Sequence, residues 1–447
     1  MNTLQAKKQK KIIDRITESL FLLFIFLLPL QTRYILIQGE LQKEPWEYGT
    51  VSLYGVDIVY ICFLFFALAS ITIGHPKKKT HPATLSLISI TLLLLAFFSG
   101  MHGVNSTNTA FWLVKLAQGI SLFLIIPHLH IHRYRIALAF ITSGTIQAAL
   151  AMVQFVMQSV LASKWLGMAA QIPVTLGTQV IEINGIRFLR SYGSFPHPNI
   201  LGGFLVVSIL LTVIVFFRST EYTRRIPYAV LLTIQSVGLW CTFSRQAWIA
   251  LLVSLVFIII YILFTESHFP KKAVLGILYI LLPLIIFSSL FPDFIITRTQ
   301  GTQRLEQHSI SQRQLNVEEG AAVIAQEWVF GTGIGNYTAY LERQDSLENI
   351  AQPAFAYQPI HNLYLLVWAE LGVFGLLLFI YIIVYIILEQ KKSKDILWIT
   401  PFLALVIIGL FDHYLWSLHS GIVLFWMVAA LAVTNTPNLY SKTVDIT

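Results

Sequence analysis

Charge is what this sequence has least of. Aspartate, glutamate, lysine and arginine together make up 12% of its 447 residues, about half the share in an average soluble protein. Hydrophobic residues make up 56% and the mean hydropathy is +0.71, which excludes an ordinary soluble domain. Cysteine is nearly missing as well: there are two, Cys62 and Cys241. Both fall in or near apolar runs, where a thiol simply packs, so neither a disulfide framework nor a metal site is implied. Internal repeats and low-complexity tracts are not evident.

Long apolar runs take the place of charge. They include Val51 to Ile73, Leu85 to Phe98, Ile136 to Val156, Ile200 to Phe217, Ala247 to Phe264, Ala273 to Phe291 and Leu363 to Leu388. Most are long enough to cross about 30 Å of hydrocarbon as helices. With Ile16 to Leu30, Ala110 to Pro127, Ile226 to Thr242, Ile396 to Leu410 and Ser417 to Val433, the pattern predicts an all-α polytopic membrane protein of about twelve spans. The first run resembles a signal-peptide core, but Leu30-Gln31-Thr32-Arg33 is not a small-residue cleavage site, so it counts as a span.

The formal net charge of +8 invites nucleic acid as a partner, and its distribution argues against that. Lys7, Lys8, Lys10, Lys11 and Arg15 precede the first span. Lys77 to Lys79, Arg133 with Arg135, Arg218 with Arg224 and Arg225, Lys271 with Lys272, and Lys391, Lys392 and Lys394 follow the even-numbered spans. Basic residues in every second loop place those loops, and both termini, in the cytoplasm. The outer side then receives an acidic loop at Gln31 to Thr50, a longer one at Leu161 to Pro198, a bare turn at Thr242 to Arg245, and the segment from Pro292 to Ile360. The last is long enough to cap a site, and a functional loop of that length is expected rather than an idle one. Within it Leu315, Ala322, Ala325 and Trp328 recur at roughly helical spacing, which predicts an amphipathic helix. Ser311 and Gln314 fit a capping box at its start, and Gly331, Gly333 and Gly335 break it.

Outward arginines run against the charge rule and need another reason: Arg33, Arg187, Arg190, Arg245, Arg298, Arg304, Arg313 and Arg343. Arg245 stands between two apolar helices, where a permanent charge is costly unless it meets an anion; snorkelling to headgroups is the bland alternative. Arg313, if Ser311 caps the helix, sits in its first turn, where free backbone amides and a guanidinium together suit a phosphate. Arg187 and Arg190 lead into Ser191-Tyr192-Gly193-Ser194-Phe195-Pro196-His197-Pro198-Asn199. There Asn199 is a candidate helix N-cap, and a structural role is expected for Asn199 and His197. His361 opens a span, and a neutral imidazole at that place suits a general base acting on a hydroxyl. Glu370, deeper in the same span, is a functional candidate because an intramembrane carboxylate is costly. Asp412 and His413 read as mainly structural. Outward arginines with a histidine describe a site for an anionic, lipid-linked substrate and a nucleophilic hydroxyl. A lipid diphosphate sugar is the natural donor where no nucleotide is at hand.

These blocks, in order, resemble the O-antigen ligase and polymerase superfamily of bacterial membrane glycosyltransferases. The blocks are Arg190-Ser191-Tyr192-Gly193-Ser194-Phe195 with Pro198-Asn199, then Phe243-Ser244-Arg245, then Arg313 before Gly331-Thr332-Gly333-Ile334-Gly335, then His361-Asn362-Leu363-Tyr364 with Glu370-Leu371-Gly372. The resemblance runs from about Arg187 to Gly375. It implies a GT-C-like bundle with a large extracytoplasmic loop at 292–360, in the bacterial cytoplasmic membrane. It also implies an inverting transfer of a glycan from undecaprenyl diphosphate to an acceptor hydroxyl, on a glycolipid, glycan or protein, without cofactor, metal or nucleotide. Catalytic roles are implied for His361, Arg245 and Arg313, with Arg304 or Arg298 as alternative counterparts of the last. Contacts to substrate are implied for Arg187, Arg190, Asn199, Asn362, Tyr364 and Glu370. Within the family the ligase-like reading comes first, with a polysaccharide polymerase or a protein O-oligosaccharyltransferase as alternatives. From another class, a flippase or transporter for lipid-linked oligosaccharide predicts basic residues on both leaflets and two related halves, and the sequence displays neither.

Overall fold

The computed structural model describes residues 3–73, 83–129, 131–219, 221–265, 271–350, 352–391 and 396–434. Lys77 to Lys79, Lys392 and Lys394 lie outside them. The chain opens with α1 (Thr3–Leu27), then short strands β1 (Arg33–Ile37), β2 (Glu40–Leu41), β3 (Glu44–Pro45) and β4 (Val51–Tyr54). Helices α2 (Gly55–Ile73), α3 (Ala83–Gly100), α4 (Ser106–Ile125) and α5 (Arg133–Met157) follow, and then a hairpin of β5 (Val180–Ile183) and β6 (Ile186–Leu189). Next come α6 (Pro198–Arg218), α7 (Tyr222–Thr242), α8 (Arg245–Thr265), α9 (Lys271–Leu290), α10 (Pro292–Gln300), α11 (Arg304–Gln326) and α12 (Tyr337–Leu347). The chain ends with α13 (Leu363–Lys391), α14 (Thr400–Ile408), α15 (Tyr414–Ser417) and α16 (His419–Val433).

The molecule is mostly helical. Among the described residues eight helices, α2 to α6, α8, α9 and α13, are long and apolar enough to cross a membrane. The apolar stretches Ile396–Ile408 and His419–Val433 are shorter, while α1 and α7 fall outside that set. Helix α6 is apolar on every side, so no face of it can be turned to water. It is buried from Pro198 to Phe217 and packed by α5, α7, α8, α9 and α14. Other helices bury one side and leave the rest apolar and exposed, as Ile58, Ile61, Phe65 and Leu68 are on α2, which is the pattern of a lipid-facing flank.

Several sequence expectations are corrected at the ends of these helices. The run from Val51 does not begin as helix: Val51–Tyr54 pairs antiparallel with β1, and the helix starts at Gly55. The helix expected from Ser311 starts at Arg304. Ser311 lies inside it, its hydroxyl donating to the Gln307 carbonyl at 3.0 Å, so Arg313 is in mid-helix and has no free amides beside it. The apolar positions that gave the helical spacing lie on its exposed face. Leu315, Ala322, Ala325 and Trp328 are exposed, while Asn316, Gly320, Val323 and Ile324 are buried. Gly320 is there because a Cβ would fall 2.5 Å from Ile360.

A break in α13 positions the loop after α11. Gly372 adopts φ +69, and a Cβ there would meet the Val329 carbonyl oxygen at 1.9 Å, so glycine is required. The break frees the carbonyls of Ala369 and Glu370, and the loop takes them: Thr332 N donates to Ala369 O at 2.8 Å and Gly333 N to Glu370 O at 2.9 Å.

Candidate functional site

The turn between α7 and α8 organises the site. Phe243 takes a left-handed conformation, φ 48, and this reverses the chain and points the last α7 carbonyls at guanidinium groups. Arg190 Nε donates to Thr242 O at 3.0 Å. Arg298, near the end of α10, donates to Phe243 O through Nε at 3.1 Å and Nη2 at 2.9 Å. Cations at a helix C-terminus meet both its unpaired carbonyls and the negative end of its dipole.

Arg190 is delivered by a segment clamped to α5. Gln154 Oε1 accepts from Tyr192 N and Gly193 N, both at 2.9 Å, and its amide donates to Gly193 O at 2.7 Å. Two turns earlier Gln147 accepts from Ser194 N at 2.8 Å. The Ser191 to Phe195 block is therefore a fastening. It ends at the α6 N-cap, which is His197 and not Asn199: the His197 ring nitrogen Nδ1 accepts from Asn199 N at 3.0 Å. Asn199 is instead a buried bridge, accepting from Arg190 Nη2 at 2.6 Å and donating to Asp412 Oδ2 at 3.0 Å.

Asp412 is the centre of this polar network, although its sequence context marks it only as a contact at a helix end. Besides Asn199, the Gln246 amide donates to Oδ2 at 2.9 Å and His413 N to Oδ1 at 2.8 Å. Burial pushes its carboxyl up, but the histidines and amide donors around it prevail and hold it below the usual carboxylate range. The His361 and His413 rings meet edge to face with centroids 5.0 Å apart. His413 Nδ1 shares a hydrogen with Ser417 Oγ at 2.5 Å. Burial depresses both imidazoles, opposed by Asp412: His361 is pushed below 6.5 and His413 down to about 3. Asn316 of α11 lies against His361 Nδ1 at 3.4 Å.

Four guanidiniums surround this network. Arg298 is buried and paired with Glu306 of α11. Arg245, the first residue of α8, donates to the Arg298 carbonyl at 3.1 Å and lies 3.4 Å from the second Glu306 oxygen. Arg190 is the third. Arg313, on α11, makes no hydrogen bond or ion pair among the described residues. It sits within electrostatic reach of Asp412, Arg245 and Glu306, and burial lowers its pKa. Two carboxylates, Glu306 and Asp412, face these four cations, so the site keeps an excess of two positive charges with its histidines neutral.

The other expected residues divide. Arg187 is not in the site: on β6 it reaches the carbonyls of Val174 and Thr175, each at 3.4 Å, because the hairpin directs alternate side chains away from Arg190. Arg304 is exposed and pairs with Glu182 at 2.9 Å. Asn362 caps α13, its Oδ1 accepting from Tyr364 N and Leu365 N at 2.9 and 3.0 Å. Tyr364 donates to Val406 O at 2.7 Å. Glu370 is buried on α13, where its carboxylate accepts from Trp416 Nε1 at 2.7 Å. It lines a cleft with Tyr48, Trp112 and Ser417. Sequence reasoning missed Gln246, Glu306 and Asn316 as members of the site.

Fold and site together describe a helical protein with candidate membrane spans and a cluster of arginines, histidines and carboxylates. The family model described as O-Antigen ligase matches residues 228–380, a stretch containing Arg245, Arg298, Glu306, Arg313, His361 and Glu370. Over that stretch the chain is similar to the O-antigen ligase family. No curated protein matches the chain.

Proposed function

We propose that the protein is an inverting transferase that moves a glycan from undecaprenyl diphosphate to an acceptor hydroxyl on the outer face of the bacterial cytoplasmic membrane. Twelve helices would span the membrane as one domain, with both termini cytoplasmic and residues 292–360 covering the site. The observation that carries this reading is the pair of uncompensated positive charges beside a neutral imidazole. A diphosphate supplies the missing anion, and a hydroxyl supplies the proton for the base.

In this mechanism Arg313 and Arg245 bind the diphosphate, and Arg190 and Arg298 hold the α7–α8 turn that presents Arg245. Asn316 Nδ2 lies 3.4 Å from His361 Nδ1, and the neutral imidazole keeps a lone pair on one ring nitrogen. That nitrogen takes the acceptor hydroxyl proton as the oxygen attacks the anomeric carbon. The bond from that carbon to the phosphate oxygen breaks with inversion, and its electron pair leaves on the diphosphate. The guanidiniums stabilise the charge that develops there, which is usually the largest contribution to such a step. No metal or nucleotide enters these steps. The acceptor class, glycolipid, glycan or protein, is settled by experiment: gene deletion followed by mass analysis of glycoconjugates. Lipid-linked polymer that accumulates while the finished conjugate disappears marks a ligase, and single repeats in place of chains mark a polymerase. Purified protein with a lipid diphosphate donor tests the chemistry, and wild-type turnover in both His361→Ala and Arg245→Ala would sink the proposed site.

A further inference from the structure

Between α5 and Arg190 the chain exposes apolar side chains where a water-facing loop would carry polar ones. Leu161 and Trp165 are each 77% exposed, Val174 75% and Leu176 89%. Beside it the β1–β4 ribbon exposes Tyr34, Ile35, Leu36 and Ile37 in succession. The two are joined: Thr32 Oγ1 donates to Trp165 O at 2.6 Å and Gln31 N to Leu166 O at 3.3 Å. Gly167 packs so closely that a Cβ would fall 2.0 Å from the Gln31 carbonyl carbon.

The level of this surface follows from its neighbours. Gln31 and Thr32 come just after α1 ends at Leu27. On the other side the last turns of α5 expose Val153, Val156 and Met157, and Leu161 follows four residues later. Exposed apolar side chains therefore occur both on the flank of a candidate membrane helix and on the loop that follows it. Scattered exposed hydrophobics are ordinary, whereas a contiguous set marks a covered surface. Residues 159–176 contain one charge, Lys164, and no carboxylate, and its ammonium lies 5.3 Å from the Trp165 ring. Tryptophan and lysine at the level of helix ends are the chemistry of the headgroup boundary. Arg187, which the site does not use, braces the tip through the Val174 and Thr175 carbonyls.

We propose that residues 159–176, with the β1–β4 ribbon beside them, form a foot that lies in the headgroup and upper acyl layer of the leaflet nearest the arginine site, and that its partner is the lipid surface itself. The loop returns through β5 and β6 to Arg190, and Glu182 of β5 pairs with Arg304 at the start of α11. The depth of the foot thereby sets the height of the site above the membrane.

The test uses full-length protein in nanodiscs of phosphatidylethanolamine and phosphatidylglycerol, with Cys62→Ala, Cys241→Ala and a Val174→Cys label carrying an environment-sensitive fluorophore. A nitroxide on the lipid headgroup should quench this label several-fold more than aqueous iodide does. A Phe355→Cys control, at a side chain 75% exposed in the cap, should show the reverse. Iodide-dominated quenching at position 174 overturns the proposal, and so does shielding from both quenchers, which would mean a protein covers the loop. Should the cysteine replacements unfold the chain, Trp165→Phe in the natural background gives a second reading. The emission lost in that variant should be the fraction quenched most by lipids brominated near the headgroup; an unchanged quenched fraction overturns the proposal. Neither measurement depends on glycan transfer.

Discussion

Replacing Arg313 by glutamine separates binding of the diphosphate from maintenance of the fold. Among the described residues Arg313 makes no hydrogen bond or ion pair, and Arg245 repels it while Asp412 and Glu306 attract it. Its removal leaves no hydrogen-bond partner stranded, so stability should change by about 1 kcal/mol or less. Transfer should fall by about 10²–10³, the usual loss when one donor to a developing oxyanion is removed, equivalent to roughly 3–4 kcal/mol. Arg298→Gln is the contrast. It uncaps the Phe243 carbonyl and strips the buried Glu306 of its close partner, leaving Arg245 at 3.4 Å. Breaking such a buried pair costs about 3–5 kcal/mol. Thermal unfolding in detergent and single-turnover transfer from a lipid diphosphate donor, measured on both variants, check the two roles. The reasoning fails if Arg313→Gln transfers within threefold of the parent, or if it unfolds as early as Arg298→Gln.

His361→Ala should lower transfer by about 10²–10⁴, the range for loss of a general base. Because His361 titrates below 6.5, the acid limb of the parent's pH–rate profile should lie below that value, and a limb centred above 7 would exclude it as the base. His197 and His413 are each pushed down to about 3 by burial and regain their ordinary value near 6.5 on unfolding. The unfolded chain then binds more protons between those values, so stability is full above pH 6.5 and falls on acidification, by up to roughly 1.4 kcal/mol per pH unit for each imidazole. Chemical denaturation at pH 7.5 and 5.5 reads this, and equal midpoints would contradict it. Gly372→Ala forces a side chain into φ +69 and against Val329 O, with strain of about 1–3 kcal/mol before the clash; increased proteolysis within 327–336 should report release of the loop. Lys115→Met leaves Asp57 buried without its 2.6 Å ion pair and should destabilise by about 3–5 kcal/mol, with much of the loss recovered when Asp57→Asn is added.

What was legible from sequence followed the physics that acts locally. Apolar runs declare helices because a backbone in hydrocarbon must satisfy itself, and each of the twelve expected runs falls on a helix with shifted ends, although among the described residues eight of these helices are long and apolar enough to span and two are shorter. The capping pattern at Ser311 misled because Ser-x-x-Gln is short enough to occur inside a helix that has already begun. The real start follows Gly301, which is left-handed at φ 66. At α6 a usable signal was present: proline prefers the first helical position, so Pro198 points to His197 as the cap and frees Asn199. The role of Asp412 had no such signal, since its partners Asn199 and Gln246 are 213 and 166 residues away.

The site arginines also turn out to be two sets with different physical reasons. Arg190 and Arg298 are consumed by the carbonyls that end α7, so helix termination retains them. Arg245 shares Glu306 with Arg298, and Arg313 keeps its whole hydrogen-bonding fork. An anion that arrives on a lipid tail at the end of the bundle would meet one arginine already oriented and one still unspent, with His361 neutral beside them. Geometry therefore ranks the arginines in a way residue type could not, by what each has left to give.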